Sequence, residues 1–423
     1  MREISKQDRE VLRGLAEQVS QIAACPAHWE TAAHWRCLND LAPVRPMVRV
    51  YQIPWHEMDV AGALALRTTG AFYRGVEWRL RRTLYEWRHI RADQVVDPFY
   101  TCEPVMRRTG YGLTLKQDII AQDPTGGIQA HHYHNQIQNE QDLDKIRRPL
   151  VTLDEAATAA RSQALAEIFG DLLPVHVQGL VRCSFSPWDR LTTWWNPQQA
   201  LMDLILNPAL VHKAMDRLTD AMLSELEQYE QLGLLCVGTG NLTTGEGGLG
   251  YTAALPRSDR PRNGAHAIEL WGGTMAQIFS EVSPQMHEEF ALQYEKRLMA
   301  RFGLCYYGCC EPLHHKIDLV AKHLPNLRKI SMSPWVDPAV GAETIGDRFV
   351  FSFKPNPAFL ATDGHWDRES ARREILNVLE HTERHGCPLE IVLKDISTVR
   401  HEPHRLWEWT EMVMGLVGRA CPV

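Results

Sequence analysis

Two adjacent cysteines at the end of an apolar run are the side chains best suited to chemistry in this sequence. Cys309 and Cys310 close the run GLCYYGCC (303–310), and Glu311 follows directly. Thiolates and carboxylates bind zinc, act as nucleophiles and accept protons. Small free cysteines also fill apolar cores, so packing is the alternative interpretation. The pattern favours a reactive site in which Cys309 and Cys310 are metal ligands and Glu311 takes part in catalysis.

Polar and aromatic side chains follow the other apolar runs in the same way. The candidates for ligand, general-base or proton-transfer roles are His56, Glu57, Lys394 and Asp395. The candidates for binding a flat or carboxylated substrate are Trp55, Trp188, Trp271, Trp335, Lys354 and Asn356. The structural alternatives are a salt-bridged glutamate, buried lysine–aspartate pairing and tryptophans that simply pack in the core.

These residues come together only if the apolar runs lie side by side in one sheet. The strands expected from β-branched and aromatic residues are VRVYQI (48–53), VHVQGL (175–180), LLCVGT (234–239), GLCYYGCC (303–310), LRKISMS (327–333), FVFSFKP (349–355) and EIVLKDIS (390–397), with AIELWGG (267–273) as a weaker eighth. Helical patterns lie between many of them, which is typical of a parallel sheet covered on both faces. The sequence therefore predicts an α/β fold, a (β/α)8 TIM-type barrel, with its chemistry at the carboxyl ends of the strands.

The sequence also predicts where the helices lie and which segments extend beyond a minimal barrel. Helices are expected over 197–232, 284–302, about 312–324 and 367–385, the last behind a capping Asp367. We expect one decorated barrel domain over 1–423, with an N-terminal helical segment (1–45), an insertion after the first strand (54–173) that holds helices and a hairpin, and most of the barrel in 174–423. The glycine-rich run GEGGLG (245–250) lacks nucleotide-binding spacing and is expected to be a mobile loop over the mouth of the barrel.

Composition excludes several classes of function. The 423 residues carry 45 Lys+Arg against 52 Asp+Glu, a formal net charge of −7, without the basic block that nucleic-acid binding requires. No stretch is long and apolar enough to predict a membrane span, and the first residues lack the apolar core of a secretory signal. Ten cysteines without small-scaffold spacing are typical of reduced thiols, so we expect a cytoplasmic protein.

Several longer segments resemble the uroporphyrinogen decarboxylase superfamily. They are HNQIQNEQDLDKIRRPLVTLDEA, PVHVQGL with the later SPWD, LMDLILNPALVHKAMDRLTD, EVSPQMHEEFALQYEKRL and YYGCCE. The resemblance covers about residues 40–420 and implies a barrel with its active site at the carboxyl ends of the strands. The superfamily contains decarboxylases and also zinc-dependent, corrinoid-linked methyltransferases, so the fold alone does not decide the reaction.

Two departures from the family patterns bear on the reaction. The decarboxylases carry an arginine-rich segment after the first strand, where this sequence reads IPWHEMDVAG with no arginine before Arg67. The methyltransferases place His-x-Cys-Gly where Tyr307 to Cys310 stand here, and a further cysteine near the place of Asp395. The resemblance thus implies a methyltransferase-like member, with zinc as the expected metal and a corrinoid carried by a partner protein.

The leading hypothesis is an enzyme that moves a methyl group from a small methylated donor to a corrinoid protein, with metal assistance and without a nucleic-acid or membrane partner; a homo-oligomer is compatible with it. The first alternative is a metal-independent decarboxylase or lyase of the same superfamily that acts on a small carboxylated substrate through Lys354, Lys394 and Asp395. The second is a non-catalytic ligand-binding barrel, which predicts that the strand-end residues are scattered.

Overall fold

The computed structural model describes residues 4–121, 129–255 and 264–418. Its strands are β1 (Met47–Val50), β2 (Tyr100–Cys102), β3 (Met106–Arg108), β4 (Gln117–Ala121), β5 (Gln129–Tyr133), β6 (Val151–Leu153), β7 (Val175–Val177), β8 (Arg182–Ser184), β9 (Trp271–Thr274), β10 (Leu304–Tyr307), β11 (Leu327–Met332), β12 (Val350–Phe353) and β13 (Leu389–Leu393). Its α-helices are α1 (Lys6–Ala23), α2 (Ala27–Asn39), α3 (Ala71–His89), α4 (Glu155–Phe169), α5 (Pro187–Leu191), α6 (Pro197–Leu206), α7 (Pro208–Gln231), α8 (Pro284–His287), α9 (Gln293–Met299), α10 (Ile317–His323), α11 (Pro338–Ile345), α12 (Arg368–Arg384) and α13 (His404–Leu416).

Seven parallel strands form the main sheet, in the order β1-β13-β12-β11-β10-β9-β8. Fully buried strands such as β13, apolar except for Glu390, suit this arrangement because helices cover the outer face. The sheet curls, so that side chains of β11 and β13, two strands apart, meet over its concave face. A parallel α/β fold is therefore confirmed. The closed eight-stranded barrel is not, because within the described residues β1 and β8 remain two edges of a seven-stranded sheet.

Of the seven stronger predicted strands, five lie in this sheet and two do not. Residues 175–180 supply β7, which pairs with β2 outside the main sheet, and residues 234–239 contribute only an isolated bridge between Leu235 and Leu180. LLCVGT is apolar because its leucines are buried in the core, not because it joins a ladder. The weak eighth run instead supplies β9, which lies between β8 and β10.

The predicted helix starts near 197, 284 and 367 and the predicted hairpin are confirmed in the described residues, whereas the helix predicted over about 312–324 begins at Ile317. Asp367 caps α12 by accepting a hydrogen bond from the Ser370 amide, and Asn196 caps α6 in the same way. The helical run 197–232 is two helices, because Pro208 starts α7 where α6 ends. β4 and β5 pair antiparallel as the hairpin, while its predicted turn lies outside the described residues. No helix in the ranges described is long and apolar enough to cross a membrane.

The concave face of the sheet is polar, unlike the branched apolar filling typical of such barrels. Lys329 of β11 donates to Glu390 of β13 at 2.7 Å, and neither side chain is exposed. Ser352 of β12 donates to the other Glu390 oxygen at 2.6 Å. Trp35 of α2 and Trp271 of β9 place their rings 5.7 and 5.6 Å from the Lys329 ammonium. The interior is therefore organised around a buried ion pair rather than around packing alone.

The glycine-rich run lies inside the curled sheet instead of over its mouth. Arg49 of β1 donates to Gly247 O at 3.2 Å, and Arg182 of β8 donates to Gly245 O at 2.8 Å. The run, residues 243–250, thus contacts both edge strands, and we call it the gap segment. A Cβ at Gly248 would overlap the Trp35 ring, which explains why glycine is required there.

Replacing Gly248 with alanine is therefore expected to lower the free energy of unfolding by roughly 1–3 kcal/mol, because the added methyl overpacks a buried ring. Urea denaturation measures the change. Gly75 lies in α3 with no atom within 4 Å of its added Cβ, so Gly75→Ala is the matched control and is expected to leave stability equal or slightly higher. Equal losses in the two variants would contradict the close packing of the gap segment.

Candidate active site

The two cysteines lie in a tight turn after β10, at the carboxyl edge of the sheet. The strand ends at Tyr307, and Gly308 turns the chain with a φ of +94°. This turn brings the sulfurs of Cys309 and Cys310 within 3.3 Å of each other, although successive residues of a regular strand would point to opposite faces. Cys309 is buried and Cys310 is exposed. One thiol of the pair is therefore available to solvent and the other is held inside.

A buried lysine joins the thiols to the gap segment. Lys394 follows β13, and its Nζ lies 3.0 Å from Cys309 Sγ and 2.9 Å from Glu246 Oε2. Tyr51, just beyond β1, donates its hydroxyl to the same Glu246 oxygen at 2.7 Å. We call Tyr51, Glu246, Cys309, Cys310 and Lys394 the thiol–lysine cluster. It joins the ends of two strands, the turn after a third strand and the gap segment at the mouth of the sheet.

The electrostatics of the cluster favour a negative charge on the exposed sulfur. The hydrogen bond with Cys309 lowers the pKa of Cys310, and the Lys394 ammonium lowers it further, while burial opposes both effects. Burial alone would lower the pKa of Lys394, yet the Cys309 sulfur and the Glu246 carboxylate raise it above its ordinary value. Lys394 is therefore a protonated lysine beside a thiol pair in which the pKa of Cys310 is lowered, while the hydrogen bond with Cys310 and burial raise the pKa of Cys309.

Cys310 is expected to be alkylated by iodoacetamide at neutral pH at least about 10-fold faster than the other cysteines, because the thiolate is the nucleophile and Cys310 is both exposed and activated. Peptide mass spectrometry over a time course assigns the rate of each cysteine. Cys310→Ser should remove the fast phase, and Cys25→Ser, the matched control, should keep it. A fast phase that survives Cys310→Ser would contradict this assignment.

A second set of polar side chains lies deeper in the sheet. Lys354, after β12, donates to Tyr306 OH and to Ser352 Oγ, both at 2.7 Å. Burial lowers the pKa of Lys354 to about 7. Ser352 continues the chain of contacts to Glu390 and so to the buried ion pair. Lys354 is thus a buried amine that exchanges its proton near neutral pH, but its hydrogen bonds are to the protein interior.

Asp395 and Glu311 border the thiols in different ways. Asp395 is half exposed; its Oδ2 is 3.8 Å from Cys310 Sγ and 3.3 Å from Lys394 Nζ. Glu311 is fully buried and accepts a hydrogen bond from the Cys309 amide at 2.9 Å. Burial raises the pKa of Glu311. The position of Glu311 is therefore that of a residue that shapes the cysteine turn.

The structure places His56 and Glu57 in a neighbouring loop contact. Glu57 accepts hydrogen bonds from Thr398 Oγ1 at 2.7 Å and from the Val399 amide at 2.6 Å, and so ties the loop after β13 to the loop after β1. These hydrogen bonds lower its pKa although burial acts in the opposite direction. His56 lies 3.6 Å from Glu57 and faces the His401 ring. Among the contacts described, none joins either residue to the thiol–lysine cluster.

The predicted aromatic wall does not form as one surface. Trp188 is buried and donates to Phe290 O, and Trp271 lies in the floor of the concave face, where it donates to Gly250 O. Trp335 is 68% exposed. Trp55 lines a cavity of about 560 Å³ beside β1. Asn356 caps a short turn by accepting from the Ala358 amide. Of the four tryptophans, the cavity beside β1 includes Trp55 alone.

Zinc is the metal that the sequence predicts, and it needs three or four N, S or O ligands at about 2.0–2.3 Å. Within the ranges that the structure describes, no three His, Cys, Asp or Glu side chains are arranged to hold a metal ion. The Lys394 ammonium already contacts Cys309, and the Asp395 carboxylate is 3.8 Å from Cys310. As arranged, these side chains do not fit a resident zinc ion, because the protein supplies its own cation to the thiol pair.

Two members of the cluster were not predicted from the sequence. Tyr51 lies two residues beyond Arg49 and shares its inward face, because side chains alternate along a strand. Glu246 is the only ionisable side chain within GEGGLG, which was a usable signal. By contrast, the grouping of Cys309, Cys310 and Lys394 follows from their predicted strand ends. His56, Glu57 and the four tryptophans lie apart from this group, so the strand-end residues are gathered only in part.

Comparisons with known proteins do not identify a family for this chain. No family model matches it, and no curated protein matches it. Among solved structures, a methyltransferase from Methanosarcina mazei is similar, with 11% sequence identity over 91% of this chain and 98% of that chain and a TM-score of 0.47. Similarity at this level says nothing about activity or substrate. Membership of the uroporphyrinogen decarboxylase superfamily is not confirmed by these comparisons.

Proposed function

We propose that this chain is a methyltransferase-like enzyme that moves a methyl group from a small methylated donor to a corrinoid carried by a partner protein. The thiol–lysine cluster carries the proposal: an exposed, activated Cys310 next to the protonated Lys394 at the mouth of the sheet. The resemblance of the sequence to corrinoid-linked methyltransferases supports the choice of methyl transfer. The closed barrel remains a prediction, and the described residues form a curled, seven-stranded parallel sheet.

Methyl transfer requires an acceptor for the methyl group and a proton for the heteroatom that loses it. A methyl group leaves its heteroatom by displacement, and the corrinoid would supply the attacking centre and accept the methyl group. The leaving heteroatom then needs a proton, and Lys394 holds one at the cluster while Glu246 and Tyr51 fix the position of its ammonium group. The thiol pair keeps a negative charge beside that ammonium and so orients the proton donor toward the mouth.

Zinc at Cys309 and Cys310 stays a prediction, and no role above depends on it. A zinc ion would have to displace the Lys394 ammonium from the Cys309 sulfur. Metal analysis of protein purified without an affinity tag measures whether zinc is bound. Stoichiometric zinc that is lost in a Cys309→Ser, Cys310→Ser double variant would support the prediction, and metal-free active protein would count against it.

The proposal is tested by methyl transfer to free cob(I)alamin. The full chain is incubated anaerobically with a panel of O-, N- and S-methyl compounds, and the loss of cob(I)alamin absorbance is followed. We expect turnover with at least one donor, a large loss in Cys310→Ser, and full activity in Cys25→Ser. No turnover with any donor, or turnover that Cys310→Ser leaves unchanged, would overturn the proposal.

A metal-independent decarboxylase or lyase is the second candidate, and Lys354 is the observation that favours it. A buried amine with a pKa of about 7 beside Tyr306 is suited to proton exchange with a carboxylated substrate. Carbon dioxide release in the absence of any methyl acceptor measures this activity. Loss of that release in Lys354→Met but not in Cys310→Ser would favour the lyase over methyl transfer.

A further inference from the structure

A second cavity opens beside the end of β8 and is separate from the cavity next to Trp55. It has a volume of about 470 Å³, within the range of small-molecule pockets, and runs from Ser184 to α7 under the insertion that follows β3. Its lining includes Tyr111, Asp189, Arg190 and Trp194. We call it the Arg190 pocket.

At one end of this pocket the charged side chains are paired with each other. Glu225 of α7 is buried and accepts hydrogen bonds from the hydroxyls of Tyr111 and Tyr229. Arg108 of β3 donates to the same carboxylate at 3.0 Å and to Tyr229 OH at 3.0 Å. The charge of Arg108 is therefore matched by that of Glu225, and the buried Glu225 carboxylate is occupied, while the Arg108 side chain is 57% exposed.

Arg190 has a different environment. Its guanidinium lies 5.9 Å from the centre of the Tyr111 ring and 6.0 Å from that of Trp194. In the described parts of the chain, no carboxylate lies within ion-pair distance of it. The neighbouring Asp189 instead accepts a hydrogen bond from Gln277 at 2.9 Å, and burial raises its pKa to about 6. Arg190 is thus an exposed cation that lies near two aromatic rings and makes no ion pair among the described residues, although the carboxylates of Asp189 and Glu225 also line the pocket.

The pocket borders β8, whose neighbour β9 lies close to the gap segment. A Cβ built on Gly273 of β9 would lie 2.9 Å from Ser184 Oγ and 3.3 Å from Gly245 Cα. Gly245 directly precedes Glu246, whose carboxylate holds Lys394. Ser184, at the pocket entrance, is therefore a close neighbour of the segment that positions the proton donor.

We propose that the Arg190 pocket binds the carboxylate of a small substrate with an apolar or aromatic body. The guanidinium pairs with the carboxylate, since arginine presents paired N–H donors that match two carboxylate oxygens. Phe185, Trp194 and Met222 line the space for the body. This inference names the substrate class. It rests on the proposed function only in taking the bound carboxylate to be the substrate. Binding itself can be measured without turnover.

Binding of benzoate to the full chain tests the pocket without any methyl acceptor. Isothermal titration calorimetry compares benzoate with benzamide, which has the same shape and no charge. We expect benzoate to bind, benzamide to bind on the order of 10-fold more weakly or not at all, and Arg190→Met to weaken benzoate by a similar factor. Arg190→Lys should restore part of the affinity. Arg384→Met, an exposed arginine of α12 paired with Glu380, is the matched control and should change nothing.

The outcomes separate this inference from the proposed function. Equal affinity for benzoate and benzamide, no binding of benzoate, or no effect of Arg190→Met would overturn the pocket even if Cys310 proves reactive. Arg190-dependent binding that persists in Cys310→Ser would establish the pocket. If such binding is found while every donor fails to methylate cob(I)alamin, the pocket stands and the proposed function falls.

Discussion

Replacing Lys394 with methionine is expected to slow methyl transfer by on the order of 10²- to 10⁴-fold, the usual contribution of a positioned proton donor. The same change should slow alkylation of Cys310, because the thiol pair loses the ammonium that favours its ionised form. Methionine keeps most of the side-chain volume and removes the charge. The transfer rate to cob(I)alamin and the iodoacetamide rate of Cys310 are measured on the same preparation.

Two controls make the result for Lys394 interpretable. Lys322→Met removes an exposed lysine that pairs with Glu288 at the surface, and it should leave both rates unchanged. Because breaking a buried pair also destabilises the fold, circular dichroism must show that Lys394→Met is folded at the assay temperature. A folded Lys394→Met protein with wild-type rates in both assays would contradict the role given to this lysine.

Replacing Lys329 with methionine is expected to lower the free energy of unfolding by about 3–5 kcal/mol, the usual loss when one partner of a buried ion pair is removed. Glu390 would keep its hydrogen bonds from Ser352 and the Gly248 amide but lose the cation at 2.7 Å. Urea denaturation at neutral pH measures the loss. The double variant Lys329→Met, Glu390→Gln should recover part of it, because no carboxylate is then buried without its Lys329 partner, while Lys354 remains buried nearby.

The effect of pH on the Lys329 variant has a definite sign. In the folded protein burial raises the pKa of Glu390, but Lys329 and Lys354 lower it below its ordinary value of 4.5. A carboxylate with a lowered pKa stabilises the folded state above its ordinary pKa, and this stabilisation is lost as pH falls through the folded value. The stability gap between wild type and Lys329→Met should therefore be widest at neutral pH and narrow below about pH 4.5. A gap that widens in acid would contradict the ion pair as the cause.

The sequence predicted the sheet best where strands are buried on both faces. β13 and β12 are buried along their whole length, and each has a single polar residue among apolar ones. β8 was missed because its Arg182 and Ser184 are exposed and only Cys183 is buried. LLCVGT was overpredicted because burial in the core and membership of a sheet produce the same apolar run. Periodicity reports burial, and it cannot report which backbone supplies the hydrogen-bonding partner.

The candidate site was predictable in its strand-end residues and not in its loop residues. Cys309, Cys310 and Lys394 come together because the carboxyl ends of parallel strands share one edge. Glu246 reaches them from a segment whose path depends on two distant arginines and on the space under Trp35, which no local pattern encodes. His56 and Glu57 follow a strand too, but their loop turns toward Thr398 and leaves the cluster.

The gap segment is expected to open locally while the main sheet stays intact. It is held to β1 and β8 by arginine side chains that donate to its carbonyls, with a single short bridge between Thr243 and Leu249 of its own. Such a segment can detach without breaking the seven-stranded ladder, so its amides should exchange with deuterium through local opening rather than through global unfolding. Since Glu246 travels with it, each such opening would also release Lys394 from its carboxylate. The deuterium-exchange rate of this segment therefore measures how often Lys394 loses the contact with Glu246 that positions it.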